Sequence, residues 1–493
     1  MDGHRLTPDG VQARQLTGKE RGALAHAQAQ MYQVRTPVLV DSPHDRLFVA
    51  AMDGTGNSLY KDAARNRTVV AEMKLKLDEL DHPAIAVGYI EGVGTQNDKW
   101  TRRRDAAFAH TFENRVEQMY LEFCKQAAAW IHEDPNARIH LAGIGFSRGA
   151  EAVPALQRMI HERGIRDPLG ADARYDSDGL LTSVTWVAHP PLVPPGRTAQ
   201  VAMLIDPVGT ELHHIDRSRP PSSIGTLQIT TLNEPRDHFT ATMHASAGLS
   251  EAGRAANLFV PGAHSDGGGA YLLDGTGRIV TNMGVDYFNA MFNGPVLEKV
   301  PEALDPRMYV AHSSDQHLMG LWPTSTYARN GERLMHTNMA PGCKVAAPVQ
   351  CQRDPIDYDL AATFEWKHVQ PGRAPGGTDA KMDAALAALQ QMHARDSTFL
   401  GRAVAQSGVP GRAQALAAVQ GTGELFDRLA EAAKQGDLPG MSLVARAYVE
   451  TPLGQAFKPA YQMANTWWDV REAGLAVEGE RQPAQQEHAL AHP

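Results

Sequence analysis

Cysteine is scarce in this chain: Cys124, Cys343 and Cys351 are the three in 493 residues, too few and too widely spaced for a disulfide framework or a paired-cysteine metal site. Cys343 and Cys351 can pair in an oxidising compartment, but two separate thiols is the plainer reading. No apolar run reaches the roughly 20 residues that a bilayer-spanning helix needs, and residues 1–30 lack the apolar segment of a cleavable leader. The expectation is a chain made in the cytoplasm as a soluble protein, with any export by a route that needs no such leader. Basic charge is also in deficit. With 47 Lys and Arg against 56 Asp and Glu, the net charge of −9 argues against a surface that tracks nucleic-acid phosphates. Arg102, Arg103 and Arg104 are a local exception, read first as a solvated loop and second as a lipid or phosphate contact. No repeat of fixed period stands out.

What the chain does have is an alternation of apolar runs and helical spacing. Residues 1–45 read as a polar lead-in with one helix near Gly18 to Val34. A continuous, largely apolar run at 46–52 and strand-like runs at 84–90, 138–146, 201–205, 226–232 and 256–260 have the look of buried strands. Helical stretches at 66–80, 106–132 and 150–163 separate the first of them. Such alternation predicts an α/β fold, a mostly parallel sheet flanked by helices, with ligands bound beyond the carboxyl ends of the strands. Between 170 and 197 the chain is loop-rich. Its run His189-Pro190-Pro191-Leu192-Val193-Pro194-Pro195 is read either as an apolar loop beside the site that grips acyl chains or a membrane, or as a structural strap. The expected organisation is a catalytic unit over 46–370, a Gly/Pro-rich linker, a C-terminal all-helical region over 378–474, and a polar disordered tail over 475–493.

Within that frame, Gly145-Phe146-Ser147-Arg148-Gly149 joins an apolar strand directly to a helix. A serine on so sharp a turn needs small neighbours, since a Cβ on either side collides with the adjoining strand or helix, and the turn leaves its hydroxyl exposed. The helix start behind it aims backbone N–H groups at any charge that develops on a substrate oxygen. Acyl transfer through Ser147 also needs a base and an acid that orients the base, which arrive in the order Ser, Asp or Glu, His in the α/β-hydrolase arrangement. Asp206 stands at a strand end and His264 in the loop after the last clear strand, so the order fits. Glu234, Asp237 and Asp266 remain alternatives for the acid, and His312 for the base. The amide of Arg148 and one from Gly54 or Thr55, in the turn Asp53-Gly54-Thr55-Gly56-Asn57, are the candidate oxyanion donors. His213, His214, Asp216, His264 and Asp266 match no metal-ligand spacing, so neither a metal nor another cofactor is expected.

Five ordered motifs carry a family resemblance: Met52-Asp53-Gly54-Thr55-Gly56-Asn57 with Phe48 before it, Tyr89-x-x-Gly92-Val93-Gly94-Thr95, Gly145-Phe146-Ser147-Arg148-Gly149-Ala150, Asp206-Pro207-Val208-Gly209, and Pro261-Gly262-Ala263-His264-Ser265-Asp266-x-Gly268-Gly269. Over about residues 45–320 the chain resembles the phospholipase-like α/β-hydrolase family that includes the type VI secretion lipase effectors, group one. Pro207 and Gly267 replace the threonine and valine usual in that family, leaving the polar side chains in place. The resemblance implies a serine hydrolase of membrane glycerophospholipids, of phospholipase A type, delivered as an antibacterial toxin to the periplasm or membrane surface of a target cell. A secretion-spike protein and an immunity protein are the implied partners. Two other readings keep the scaffold: an esterase for small soluble esters, and a non-catalytic binding or cargo module.

Overall fold

The computed structural model describes residues 5–95, 111–212, 214–292, 294–320, 324, 333–336, 356–372, 374–375 and 387. Cys343, Cys351, the arginine triplet, the tail and, Ala387 apart, the helices expected over 378–474 lie outside them. The chain divides into two compact units. The second comprises 6–11, 315–322 and 383–493, and in it Thr7 and Val11 close a turn through a 2.8 Å bond from Thr7 Oγ1 to the Val11 carbonyl. All that follows concerns the first, comprising 1–5, 12–314 and 323–382.

Seven strands form its central sheet: Asp45–Met52 (β1), Ile85–Ile90 (β2), Arg138–Phe146 (β3), Gln200–Ile205 (β4), Ser223–Thr231 (β5), Gly248–Leu249 (β6) and Ala255–Val260 (β7), in the order β6-β7-β5-β4-β3-β1-β2. Every neighbouring pair is parallel except β6 with β7. Along β1, Leu47, Val49 and Ala51 enter one core, with Val70 and Met73 of the helix Val69–Glu79 and Val280, Met283 and Phe288 of the helix Gly275–Met291. Phe48, Ala50 and Met52 enter the other, with Val116, Met119 and Phe123 of the helix Phe112–Glu133 and Val153, Leu156 and Ile160 of the helix Arg148–Arg163. Helices thus cover both faces of the sheet. A strand buried on both sides favours apolar residues on both faces, as β1 carries from Leu47 to Met52, and each such Val, Leu or Phe contributes about 1.5–3 kcal/mol.

The first 45 residues do more than lead in. Thr17 and Glu20 form a capping box that starts the helix Gly18–Met31, and that helix puts Leu24, Ala27 and Met31 into the first core. Gln12–Gln15 pairs with Val310–His312, and Arg35–Pro37 with Trp366–His368, both antiparallel.

The stretch 170–197 also differs from the loop expected of it. It contains a hairpin of Ala171–Tyr175 with Leu181–Trp186, and the proline run is tied down where Leu192 N donates to Ile165 O at 2.7 Å and Ile165 N to Val193 O at 2.9 Å. Ile165 follows the 16-residue helix that Ser147 precedes, and at 1.5 Å per residue the two ends are roughly 24 Å apart. The proline run is therefore a strap at the far end of this helix, not a loop beside Ser147. Gly164, at φ +68°, fits beneath it because a Cβ there would meet the Val193 carbonyl at 2.2 Å.

From β1 the chain moves outward to β2, then returns to β3 on the other side of β1. Reversal of strand order opens a crevice between the carboxyl ends of β1 and β3, where open α/β sheets bind ligands. Met52 and Gly145 are register partners there. The Asp53–Asn57 turn and Ser147 lie immediately beyond them.

Candidate active site

Phe146 ends β3 and Arg148 begins a helix, so the turn is compressed into Ser147, at φ 57° and ψ −124°. A Cβ on Gly149 would lie 2.0 Å from the Met52 carbonyl oxygen, and one on Gly145 2.4 Å from that of Gly149. Ser147 N donates to Ile205 O at 3.0 Å and Val208 N to Ser147 O at 3.3 Å, tying the turn to the end of β4. Asp206, at that end, also has a left-handed backbone, at φ 41°. The other positive-φ residues besides glycine, among those described, are Asp81 and Glu211. Each such conformation costs about 1–3 kcal/mol and persists only where its surroundings enforce it.

His264 opens the five-residue helix His264–Gly268 just beyond β7. Its Nδ1 lies 2.5 Å from Asp206 Oδ2, and its ring stacks on Phe146, the residue before Ser147, with centroids 4.5 Å apart. Phe239 meets the imidazole edge-on, with centroids 5.0 Å apart. Asp206 Oδ1 accepts from Thr231 N at 2.9 Å and from Arg333 Nη1 at 2.7 Å. Burial alone would raise the Asp206 carboxyl, but the Arg333 guanidinium and His264 outweigh it and hold the group well below the usual carboxylate range. For His264 burial prevails over Asp206, so the imidazole takes a proton less readily than a free histidine.

The alternative acids and base have other partners. Glu234 accepts from Arg236 Nε at 2.7 Å and from the His264 backbone N–H at 3.1 Å, so it fixes the start of the histidine helix while its side chain pairs with arginine. Burial opposes ionisation of Glu234, yet Arg236 brings it down to about 2. Asp266 accepts from Ala263 N at 2.7 Å and from His312 N at 3.0 Å, and its Oδ1 lies 2.6 Å from His312 Nδ1. His312 stacks on Tyr271 at 3.9 Å. Two separate pairs result, with His264 on Asp206 and His312 on Asp266. Asp237 opens the single turn Asp237–Phe239. His213 lies outside the described residues, and His214 is within 3.9 Å of Glu113. Among the described residues no group of His, Cys, Asp and Glu is arranged to hold a metal ion.

On the opposite side of the serine turn, Asp53 is buried and accepts from Gly54 N at 2.8 Å, Thr68 Oγ1 at 2.9 Å and Tyr89 OH at 2.8 Å. Burial outweighs these bonds and pushes its carboxyl up to about 6. The Gly54 amide is thus engaged by its own neighbour. Arg148 Nη1 donates to Thr55 Oγ1 at 3.2 Å, joining the two loops. Gly92 permits the closest approach: a Cβ there would lie 1.6 Å from the Gly54 carbonyl oxygen. Asp53, Gly92, Arg148 and Gly149 border a cavity of about 10 Å³, room for about one water.

Ser147, expected to be exposed, is not. It is 4% accessible and His264 3%, because Phe146 is wedged between Gly54, Gly268 and the imidazole while Ile205 and Val208 hold the turn against β4. Arg333 is a site residue that the motifs miss. It pairs with Asp206 from 127 positions away, and nothing in its local sequence marks it.

Residues 46–176 match the family model described as "T6SS, Phospholipase effector Tle1-like, catalytic domain". Ser147, Gly54, Thr55 and Arg148 lie inside the match; Asp206, His264 and His312 lie beyond it. No curated protein matches the chain. One solved structure aligned with it is a crystal structure of an uncharacterized protein from Pseudomonas aeruginosa, at 13% identity and a TM-score of 0.34, over 58% of this chain and half (50%) of that one. The segment that holds the Asp53–Asn57 turn and the Ser147 elbow is thus similar to the catalytic domain of Tle1-like phospholipase effectors of type VI secretion.

Proposed function

We propose that the chain is a serine ester hydrolase of the α/β-hydrolase type that cleaves acyl esters of membrane glycerophospholipids, with residues 46–370 as its catalytic unit. In this reading it acts as a phospholipase A and serves as an antibacterial effector, carried by a secretion-spike protein into a target cell and neutralised in its producer by an immunity protein. The observation that carries the reading is the 2.5 Å contact of His264 Nδ1 with Asp206, on an imidazole stacked against the residue before Ser147.

The steps follow from that arrangement. Asp206 accepts the Nδ1 proton of His264, which leaves Nε2 as the base. Ser147 Oγ attacks the ester carbonyl as Nε2 takes its proton, and the resulting oxyanion is received by the Thr55 and Arg148 amides at the turn and the helix start. The Gly54 amide joins them only if it leaves Asp53. Collapse of the intermediate expels the lysolipid alcohol, protonated by the imidazolium, and leaves Ser147 acylated. Water, activated by the same imidazole, then releases the fatty acid.

The test is fatty-acid release from phosphatidylethanolamine and phosphatidylglycerol vesicles by the full chain and by Ser147→Ala. Release that vanishes in the variant supports the reading, and release that persists ends it. Turnover of short soluble esters alone would favour the small-ester enzyme. Toxicity retained by the variant would favour a non-catalytic module.

A further inference from the structure

Arg333 reaches the carboxyl edge of the sheet from a short segment whose Met335 and His336 pair in parallel with Ala241 and Thr242. Its side chain is 0% exposed. Nη1 donates to Asp206 Oδ1 at 2.7 Å, to Thr231 O at 2.7 Å and to Thr231 Oγ1 at 2.8 Å, and Nη2 donates to Phe239 O at 2.5 Å. Phe239 in turn packs edge-on against His264. One guanidinium therefore grips the acid, the strand end behind the acid, and the turn that borders the imidazole.

The other charged groups around His264 have partners of their own. Glu234, from the turn after β5, meets the His264 backbone amide and pairs with Arg236, and the two act on the imidazole in opposite senses. Asp266, on the same short helix as His264, is paired with His312. Arg148, at the start of the helix after Ser147, donates to Thr55. Asp206 is shared between two side chains, with one oxygen on the imidazole and the other on Arg333.

We propose that Arg333 is a positioning residue that acts on the base through the acid: it holds one oxygen of Asp206 so that the other faces His264 Nδ1, and its fixed positive charge sets how readily His264 takes the Ser147 proton. This rests on the reading of Ser147, His264 and Asp206 as nucleophile, base and acid. Without Arg333, protonation of His264 would complete a simple ion pair with Asp206. With it, the proton adds a second positive charge beside a carboxylate already neutralised. Two unit charges on either side of a carboxylate, on the order of 6 Å apart, change the proton affinity of one by roughly half to two pH units at effective dielectric constants of about 80 to 20.

The experiment is the rate of Ser147 labelling by a fluorophosphonate as a function of pH, in the full chain and in Arg333→Met, Arg333→Gln and Arg333→Lys. The acidic limb moves to higher pH by roughly half to two units in the Met and Gln variants. It stays in place in the Lys variant, whatever its plateau, because the charge is kept. Neutral variants that fold and keep the wild-type limb overturn the proposal, since a purely structural arginine would lower the plateau without moving the limb. Where the Met and Gln variants do not fold, Asp206→Asn combined with Arg333→Met decides. Folding restored by removing both charges supports the counter-charge role, and folding not restored overturns it. Absence of labelling at Ser147 in the wild-type chain at every pH is a different failure, that of the hydrolase reading itself.

Discussion

Replacing Asp206 by Asn keeps the shape of the side chain and removes its charge, with separate consequences for rate and for stability. The carboxylate receives Thr231 N and Arg333 Nη1 on Oδ1 and His264 Nδ1 on Oδ2, all out of water. An asparagine must keep its carbonyl oxygen toward the two fixed donors, so its NH2 group faces Nδ1. That makes Nδ1 an acceptor and moves the ring proton to Nε2, the tautomer that cannot take a proton from Ser147, and the rate should fall by about 10⁴. The Arg333 charge is also left buried without its partner, a loss of about 3–5 kcal/mol. The sign of the pH effect agrees. Because the folded-state carboxyl is depressed, its contribution is fully present above the ordinary carboxyl value of 3.8 and is lost as pH falls below it. The Asp206→Asn chain would lack that contribution at neutral pH, and its disadvantage against the parent should shrink in acid. Ester hydrolysis and urea unfolding of the two chains read the two effects. A variant within tenfold of the parent rate, or less than about 1 kcal/mol less stable, would refute this account of the pair.

Further outcomes follow from the same geometry. His264→Ala should lose at least about 10³ in the rate of ester hydrolysis, whereas His312→Ala, which removes the partner of Asp266, should lose stability more than rate; equal rate losses would reverse the assignment. Gly149→Ala forces a Cβ to 2.0 Å from the Met52 carbonyl oxygen, so it should cost about 2 kcal/mol or more in urea unfolding, and an unaffected midpoint would contradict the packing described. Since burial depresses the His264 imidazole, the base stays neutral at more acidic pH than a free histidine. The acidic limb of kcat/KM should then lie below 6.5, and a limb above that value would contradict the burial of the ring.

Much of the sheet was legible because its strands are covered on both faces: in β1, Phe48, Ala50 and Met52 point one way and Leu47, Val49 and Ala51 the other, so no polar residue interrupts the run. The Ser147 turn was legible because its two glycines stand where backbones nearly touch. The hairpin of Ala171–Tyr175 and Leu181–Trp186 escaped notice because most of its residues face outward and leave no apolar pattern. The helix Gly18–Met31 buries only Leu24, Ala27 and Met31, too thin a stripe to announce a core element. Spacing alone could not divide the histidines between the two acids. Asp206 and His264 are 58 residues apart and Asp266 and His312 are 46 apart, so only the folded chain pairs them. The Gly54 amide was open to an oxyanion role on sequence, and the structure occupies it with the carboxylate of the preceding residue.

The nucleophile itself can be identified by mass. After reaction of the full chain with a fluorophosphonate, peptide mapping should find the adduct on Ser147 alone, with none in Ser147→Ala or in chain unfolded beforehand. An unlabelled Ser147 in a preparation that still releases fatty acid would contradict the account at its centre.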